Sequence, residues 1–206
     1  DTFFRATGGR FAGRWRDGVA PAGTVPFAVL ESPPLWDVVR DVNKLSNNVM
    51  ARQLVLTLAT TSAPAPATTA RATAAVQQWP VHRKLALPGL VLENGSGLSR
   101  IERISAATMA DVLLAAYRSQ YMPEFAASLP LSATDGTLKR RFKAPEMQGR
   151  LRMKTGTLEE VSALAGFVTA ASGRTFVTVV ILNHPTAAQG PGEAIQAALV
   201  QWGFGQ

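Results

Sequence analysis

A change of period at Leu151 constrains this chain more than any other feature. Before it, apolar residues recur at helical spacing. After it, "VSALAGFVTAASGRTFVTVVIL" reads as two strands joined by the turn Ala171-Ser172-Gly173-Arg174, a hairpin. Val177, Val179 and Ile181 alternate with Phe176, Thr178 and Val180, and both sets are mostly apolar. Such a strand is expected to be covered on both faces. An amphipathic helix is expected from Glu193 to Trp202, after "NHPTAAQGPG". Helices first, then antiparallel strands, then a closing helix describe an α+β layer of sheet and helices.

The helical part has its own punctuation. A helix is expected to start after Pro33-Pro34, with Leu35, Val38, Val39 and Val42 as its apolar stripe. The stripe halts at "NKLSNN" and restarts in "VMARQLVLTLA", with Met50, Leu54 and Leu58 on one face. Two helices therefore meet at Ser46-Asn47-Asn48, where a core face would be interrupted by polar residues. "TTSAPAPATTA" is a low-complexity loop, and a helix is expected over Ala70 to Trp79. "LVLENGSGLSR" reads as a short strand entering a turn at Gly95 and Gly97. Ser105 is expected to cap a helix with Met109, Val112, Leu113, Ala116 and Tyr117 on its apolar side. Residues 1–34, rich in Gly and Pro, read as short strands and turns leading into a main body, 35–206.

Composition narrows the function classes. Of 206 residues, 47% are hydrophobic and 17% charged, a globular balance. No apolar run approaches the roughly 20 residues that span a bilayer. The net charge of +7 gathers in "GRFAGRWRDG" and in Lys139, Arg140, Arg141, Lys143, Arg150, Arg152 and Lys154. Only Phe142 interrupts the second patch, and Pro145 and Gly149 break it into loop, which is not a nucleic-acid reader's pattern. A solvated basic surface facing an anionic polymer or a membrane surface is the better reading. There is no cysteine, and His82 and His184 stand outside any metal motif, so no metal or cofactor is expected.

Two short stretches carry candidate chemistry. Lys154-Thr155-Gly156 opens what reads as a strand, setting a cation, a hydroxyl and bare backbone side by side. That combination suits gripping a carboxylate at a sheet edge, and equally suits a turn. Ser46 and Asn48 are ordinary cap and turn residues, yet at a helix junction both side chains can enter a cleft. Asp135-Gly136 reads as a turn near that cleft, not as a catalytic acid.

Four blocks, "VNKLSNNVMARQL", "ENGSGLSRIERISAATMADVL", "LPLSATDGTLKRRF" and "MKTGTLEEVSALAGFVTAASG", come in an order and at spacings that resemble the DacB-type low-molecular-mass penicillin-binding proteins. Those are D-alanyl-D-alanine carboxypeptidases and endopeptidases of peptidase family S13. The resemblance implies part of a β-lactamase/transpeptidase-like fold, without its N-terminal elements. It also implies peptidoglycan peptides and β-lactams as partners, no cofactor, and a periplasmic or cell-envelope location. By position, Ser46 would relay a proton between the catalytic lysine and the leaving nitrogen. Asn48 would hydrogen-bond the substrate backbone and help hold the lysine. Lys154 would attract the terminal carboxylate and raise the local positive potential, and Thr155 would donate its hydroxyl to that carboxylate. Gly156 would leave room for the helix bearing the nucleophile, and the Thr157 N–H would form half of the oxyanion hole. Where the family usually has Asp-Gly, this chain has Glu93-Asn94, so no acidic role transfers there.

The family's nucleophile motif, Ser-x-x-Lys, does not occur: no serine or threonine is followed three residues later by lysine. The expectation is a C-terminal part of the enzyme, holding the second and third motifs and silent alone, since an amide is not cleaved without an activated nucleophile. An exposed sheet edge and apolar face are expected to favour a homo-oligomer or strand exchange. Two other classes are carried. One is a non-catalytic D-Ala-peptide-binding module. The other is a β-lactamase, which in class A would need a deacylating glutamate, whereas Glu159 and Glu160 follow the Lys-Thr-Gly segment.

Overall fold

The structure, a computed structural model, describes residues 2–14, 16–60, 66–82 and 85–206, leaving aside the side chains of 80–82. Part of the Ala/Pro/Thr loop (61–65) and the His82 side chain thus lie outside the described part. The chain divides into two compact units, Asp1–Ser32 and Pro33–Gln206.

The first unit corrects the strand-and-turn expectation. It holds one short helix, α1 (Thr2–Ala6), and turns, with no strand among the described residues. Its local bonds are short-range: Gly9 N–H donates to Phe4 O at 2.9 Å, and Arg5 reaches the Phe11 carbonyl at 3.0 Å. A strand needs a neighbour for its backbone groups, and this stretch has no second strand to pair with.

In the second unit, α2 (Leu35–Leu45) starts directly after Pro34 and α3 (Asn48–Leu58) follows, as the stripes foretold. α4 (Thr69–His82) is longer than the expected helix. α5 (Ala106–Tyr117) begins at Ser105, whose Oγ accepts from Thr108 N–H at 3.0 Å. A short α6 (Met122–Ser128) precedes β1 (Leu151–Leu158), β2 (Val161–Thr169) and β3 (Thr175–Asn183), and α7 (Gly190–Phe204) closes the chain. The strands form one antiparallel sheet in the order β1-β2-β3. The second hairpin turns through 170–174, where Ala170 N–H donates to Arg174 O at 2.8 Å.

Register divides the sheet into two faces. Leu151, Met153, Leu164 and Val168 share one face with Val200 and Phe204 of α7, and all six are buried. Phe167, Ala165, Val177 and Val179 share the other, against Leu113 of α5 and Phe125 of α6. There the Phe125 and Phe167 rings meet edge-on, centroids 6.2 Å apart. Burial of each large side chain in such layers contributes roughly 1.5–3 kcal/mol. Gln196 of α7, itself buried, donates to Ser162 Oγ at 2.9 Å and accepts from Arg141 at 2.9 Å, so helix, sheet and loop are pinned by one satisfied amide.

Three expectations change. Lys154 does not open its strand: β1 begins three residues earlier, because Leu151 and Met153 already alternate into the core. "LVLENGSGLSR" forms no strand, only a single bridge between Val91 and Arg103. The stretch instead wraps around Glu102, whose Oε1 accepts the N–H groups of Glu93, Asn94 and Gly95 at 3.0, 3.0 and 3.2 Å. Lastly, β3 has helices over both faces of its sheet but only Val180 becomes buried. It is one of the sheet's two edge strands, and α5 and α7 leave its flank partly open.

Candidate active site

Ser46 ends α2 and does not cap α3. That cap is Asn47, whose Oδ1 accepts from Met50 N–H at 3.0 Å. Ser46 is left-handed, φ 55° and ψ 47°, one of three non-glycine residues with positive φ among those described. For an L-residue this conformation costs roughly 1–2 kcal/mol and persists where surroundings enforce it. The reversal releases the Ser46 side chain toward the sheet.

There it meets Lys154. The Lys154 Nζ donates to Ser46 Oγ at 2.8 Å and to the Thr155 carbonyl at 2.8 Å. Burial withdraws solvent from the ammonium and lowers the Lys154 pKa from its ordinary value. Beside it, Thr155 Oγ1 donates to Thr137 Oγ1 at 2.9 Å.

The edge of β1 follows from strand alternation. Met153 N–H donates to Pro130 O, and Leu151 O accepts from Ser132 N–H, so odd-numbered residues turn their backbone groups away from β2. The 130–132 loop covers only the first half of that edge. Farther along, the N–H groups of Thr155 and Thr157 face outward with no loop partner among the described residues. The result is a short open strand edge beside a cation and a hydroxyl. Chemically, it can accept an extended peptide and hold an anionic terminus.

Asn48 opens α3, half-buried, and its amide makes no hydrogen bond among the described residues. Gly156 is exposed, and a Cβ there would meet only Ala163 at 3.6 Å, an ordinary contact. Nothing among the described residues therefore requires a glycine at that position. Its face continues through Ala163 and Ala165 into a cavity of about 530 Å³ bounded by Met109, Leu158 and Val179.

The sequence reading missed a pair just behind the site. Lys44 Nζ donates to Asp135 Oδ1 and Oδ2 at 2.8 and 2.7 Å, and to Leu129 O at 2.7 Å. Asp135 is indeed at a turn, but as an anchor for α2. With the partners 91 positions apart in sequence, no local pattern announces it.

The family model for D-Ala-D-Ala carboxypeptidase 3 (S13) matches residues 2–204. The chain belongs to the S13 family. Among relatives of this S13 chain, DacB of Haemophilus influenzae is 29% identical over 173 residues, 83% of this chain and 36% of that protein. The carboxypeptidase DacB of Mycolicibacterium smegmatis is 31% identical over 168 residues, 79% of this chain and 36% of that protein. In the solved structure of H. influenzae penicillin-binding protein 4 (dacB), the match has a TM-score of 0.76 at 26% identity, covering 83% of this chain and 40% of that one. The same protein has also been solved in complex with a β-lactam, with a TM-score of 0.72 to this chain. The helices and three-stranded antiparallel sheet thus match part of a penicillin-binding protein's fold. This S13 chain spans well under half the length of the relatives it matches.

Proposed function

We propose that this chain supplies the carboxylate-reading and proton-relay half of a serine D-Ala-D-Ala carboxypeptidase or endopeptidase acting on peptidoglycan stem peptides. The observation that carries the reading is the Lys154–Ser46 hydrogen bond of 2.8 Å, beside the open edge of β1. A peptide added along that edge would set its terminal carboxylate against Lys154 and the Thr155 hydroxyl. The Thr157 N–H faces the same way and is the candidate oxyanion donor, a group typically worth about 3 kcal/mol of barrier. Ser46, in contact with a cation, is suited to pass a proton to a leaving nitrogen, and the free Asn48 amide to hold the substrate backbone. The bare Gly156 face fits an incoming helix that bears the nucleophile.

The nucleophile and its lysine are not in this sequence, so the chain by itself is expected to form no acyl-enzyme. Fluorescent penicillin mixed with the chain should leave no covalent band, and a stoichiometric adduct would overturn that part. N-acetyl-D-Ala-D-Ala titrated into isotope-labelled chain should shift the amides of Ser46 and of Thr155 to Thr157. Shifts scattered elsewhere would overturn the carboxylate-reading role. Joined to a segment that supplies Ser-x-x-Lys, the chain is expected to release D-alanine at the periplasmic or envelope side, where peptidoglycan lies.

A second reading, a module that grips D-Ala-terminated peptides without cutting them, is favoured by the missing Ser-x-x-Lys. It predicts dipeptide binding without D-alanine release even when the chain is joined to a Ser-x-x-Lys segment. Hydrolysis of a chromogenic cephalosporin outpacing D-alanine release would instead indicate a β-lactamase.

A further inference from the structure

One loop braces both sides of the candidate site. On the helix side, Lys44 stands two residues before Ser46 with its side chain only 15% exposed, and Asp135 and the Leu129 carbonyl take its three donors. Asp135 Oδ1 also accepts the Leu131 N–H at 2.8 Å, which stiffens the loop that carries it. Gly136, at φ +54°, lies directly beneath the Lys44 carbonyl, where a Cβ would come within 2.9 Å of the oxygen. On the sheet side, the next residue, Thr137, meets the Thr155 hydroxyl at 2.9 Å. Pro130 and Ser132 of the same loop pair with the beginning of β1. None of these bonds uses a side-chain atom of Ser46 or Lys154, yet together they set the separation of the two.

We infer that Asp135 is a positioning residue: by clamping Lys44 it holds the end of α2 where left-handed Ser46 reaches Lys154, while Thr137 on the same turn accepts from the Thr155 hydroxyl and fixes that side chain in place. A left-handed serine is not a resting state for a free chain end, and something must over-determine it. Asp135 is the one acidic side chain bonded to the last turn of α2 from outside the helix among the described residues. Its two oxygens are already engaged by Lys44 and Leu131, so its bonds run within the protein. The catalytic consequence rests on the function proposed above, but the geometric claim does not.

The test uses the labelled full chain. In Asp135→Asn, the nuclear Overhauser contact between Ser46 Hβ and Lys154 Hε should fall at least severalfold, and the Ser46 backbone coupling should leave its left-handed value. A merely structural role would lower the urea midpoint and leave those two signals intact, and that result overturns the inference. If Asp135→Asn does not fold, Asp135→Glu decides. It keeps the charge but displaces it by one methylene, so the contact should weaken, and full strength would overturn the claim. Thr137→Val should keep the Ser46–Lys154 contact and weaken N-acetyl-D-Ala-D-Ala binding about threefold; unchanged binding would remove Thr137 from the device. A wild-type chain with the contact but no dipeptide response defeats the proposed function and leaves the positioning role standing. An intact contact in Asp135→Asn does the reverse.

Discussion

The Lys154 ammonium donates to the Ser46 hydroxyl at 2.8 Å, joining residues 108 apart in sequence. Ser46 makes that bond from a left-handed backbone, so two opposing terms act on one residue. Ser46→Ala keeps the backbone cost and deletes a charge-assisted bond worth about 1.5–3 kcal/mol. Ser46→Gly deletes the same bond but relieves the backbone by roughly 1 kcal/mol. Urea unfolding should therefore rank wild type above Ser46→Gly, and that above Ser46→Ala by about 1 kcal/mol. Equal midpoints for the two variants would mean that the left-handed turn is not maintained in solution.

The lowered Lys154 pKa carries a sign for binding and for stability. A neutral amine does not attract a carboxylate, so dipeptide affinity should fall as pH rises through the folded-state pKa of Lys154, which burial sets below that of a free lysine. For stability, the unfolded chain binds the proton more tightly than the folded one. The burial penalty is thus fully present below the folded pKa and is relieved as pH climbs from there toward the ordinary lysine value. Wild type should gain stability relative to Lys154→Met across that alkaline window. A flat difference between the two would contradict burial as the cause.

Identical glycine-to-alanine changes should diverge at two sites. At Gly156 the new methyl meets only ordinary contact, and the fold should shift by about 0.5 kcal/mol or less, toward greater stability if at all. At Gly192, in the first turn of α7, it would be driven into the Ala187 carbonyl, at a cost of about 1–3 kcal/mol. Thermal melts of the two variants measure the contrast. If Gly156→Ala is as damaging as Gly192→Ala, the free space over Gly156 is illusory, and with it the room for a nucleophile-bearing helix.

Glu102 should matter more than its surface position suggests. One carboxylate oxygen gathers three consecutive N–H groups, and Glu102→Ala leaves them to find water within a folded loop. A loss of about 1–3 kcal/mol is expected, against less than about 1 kcal/mol for Arg100→Ala, which breaks only the exposed Arg100–Glu159 pair. Hydrogen exchange at Asn94 and Gly95 should accelerate in the first variant alone.

Much of this molecule is written locally. The primary order of residues fixes the start of α2 after Pro34, the Ser105 cap, the hairpin at 170–174 and the closing helix, each through signals only a few residues wide. It also determined that the chain carries Ser-x-Asn and Lys-Thr-Gly without Ser-x-x-Lys. Tertiary structure decided the rest. It set Lys154 inside its strand through the burial of Leu151 and Met153, denied a partner to the strands expected in residues 1–34, and turned Ser46 left-handed with Asn47 as the cap. It also joined Lys44 to Asp135 and Ser46 to Lys154. The reason is one of range: periodicity and capping act within a turn or two of chain, whereas a bond across 91 or 108 residues exists only once the helices and sheet have closed on a common core.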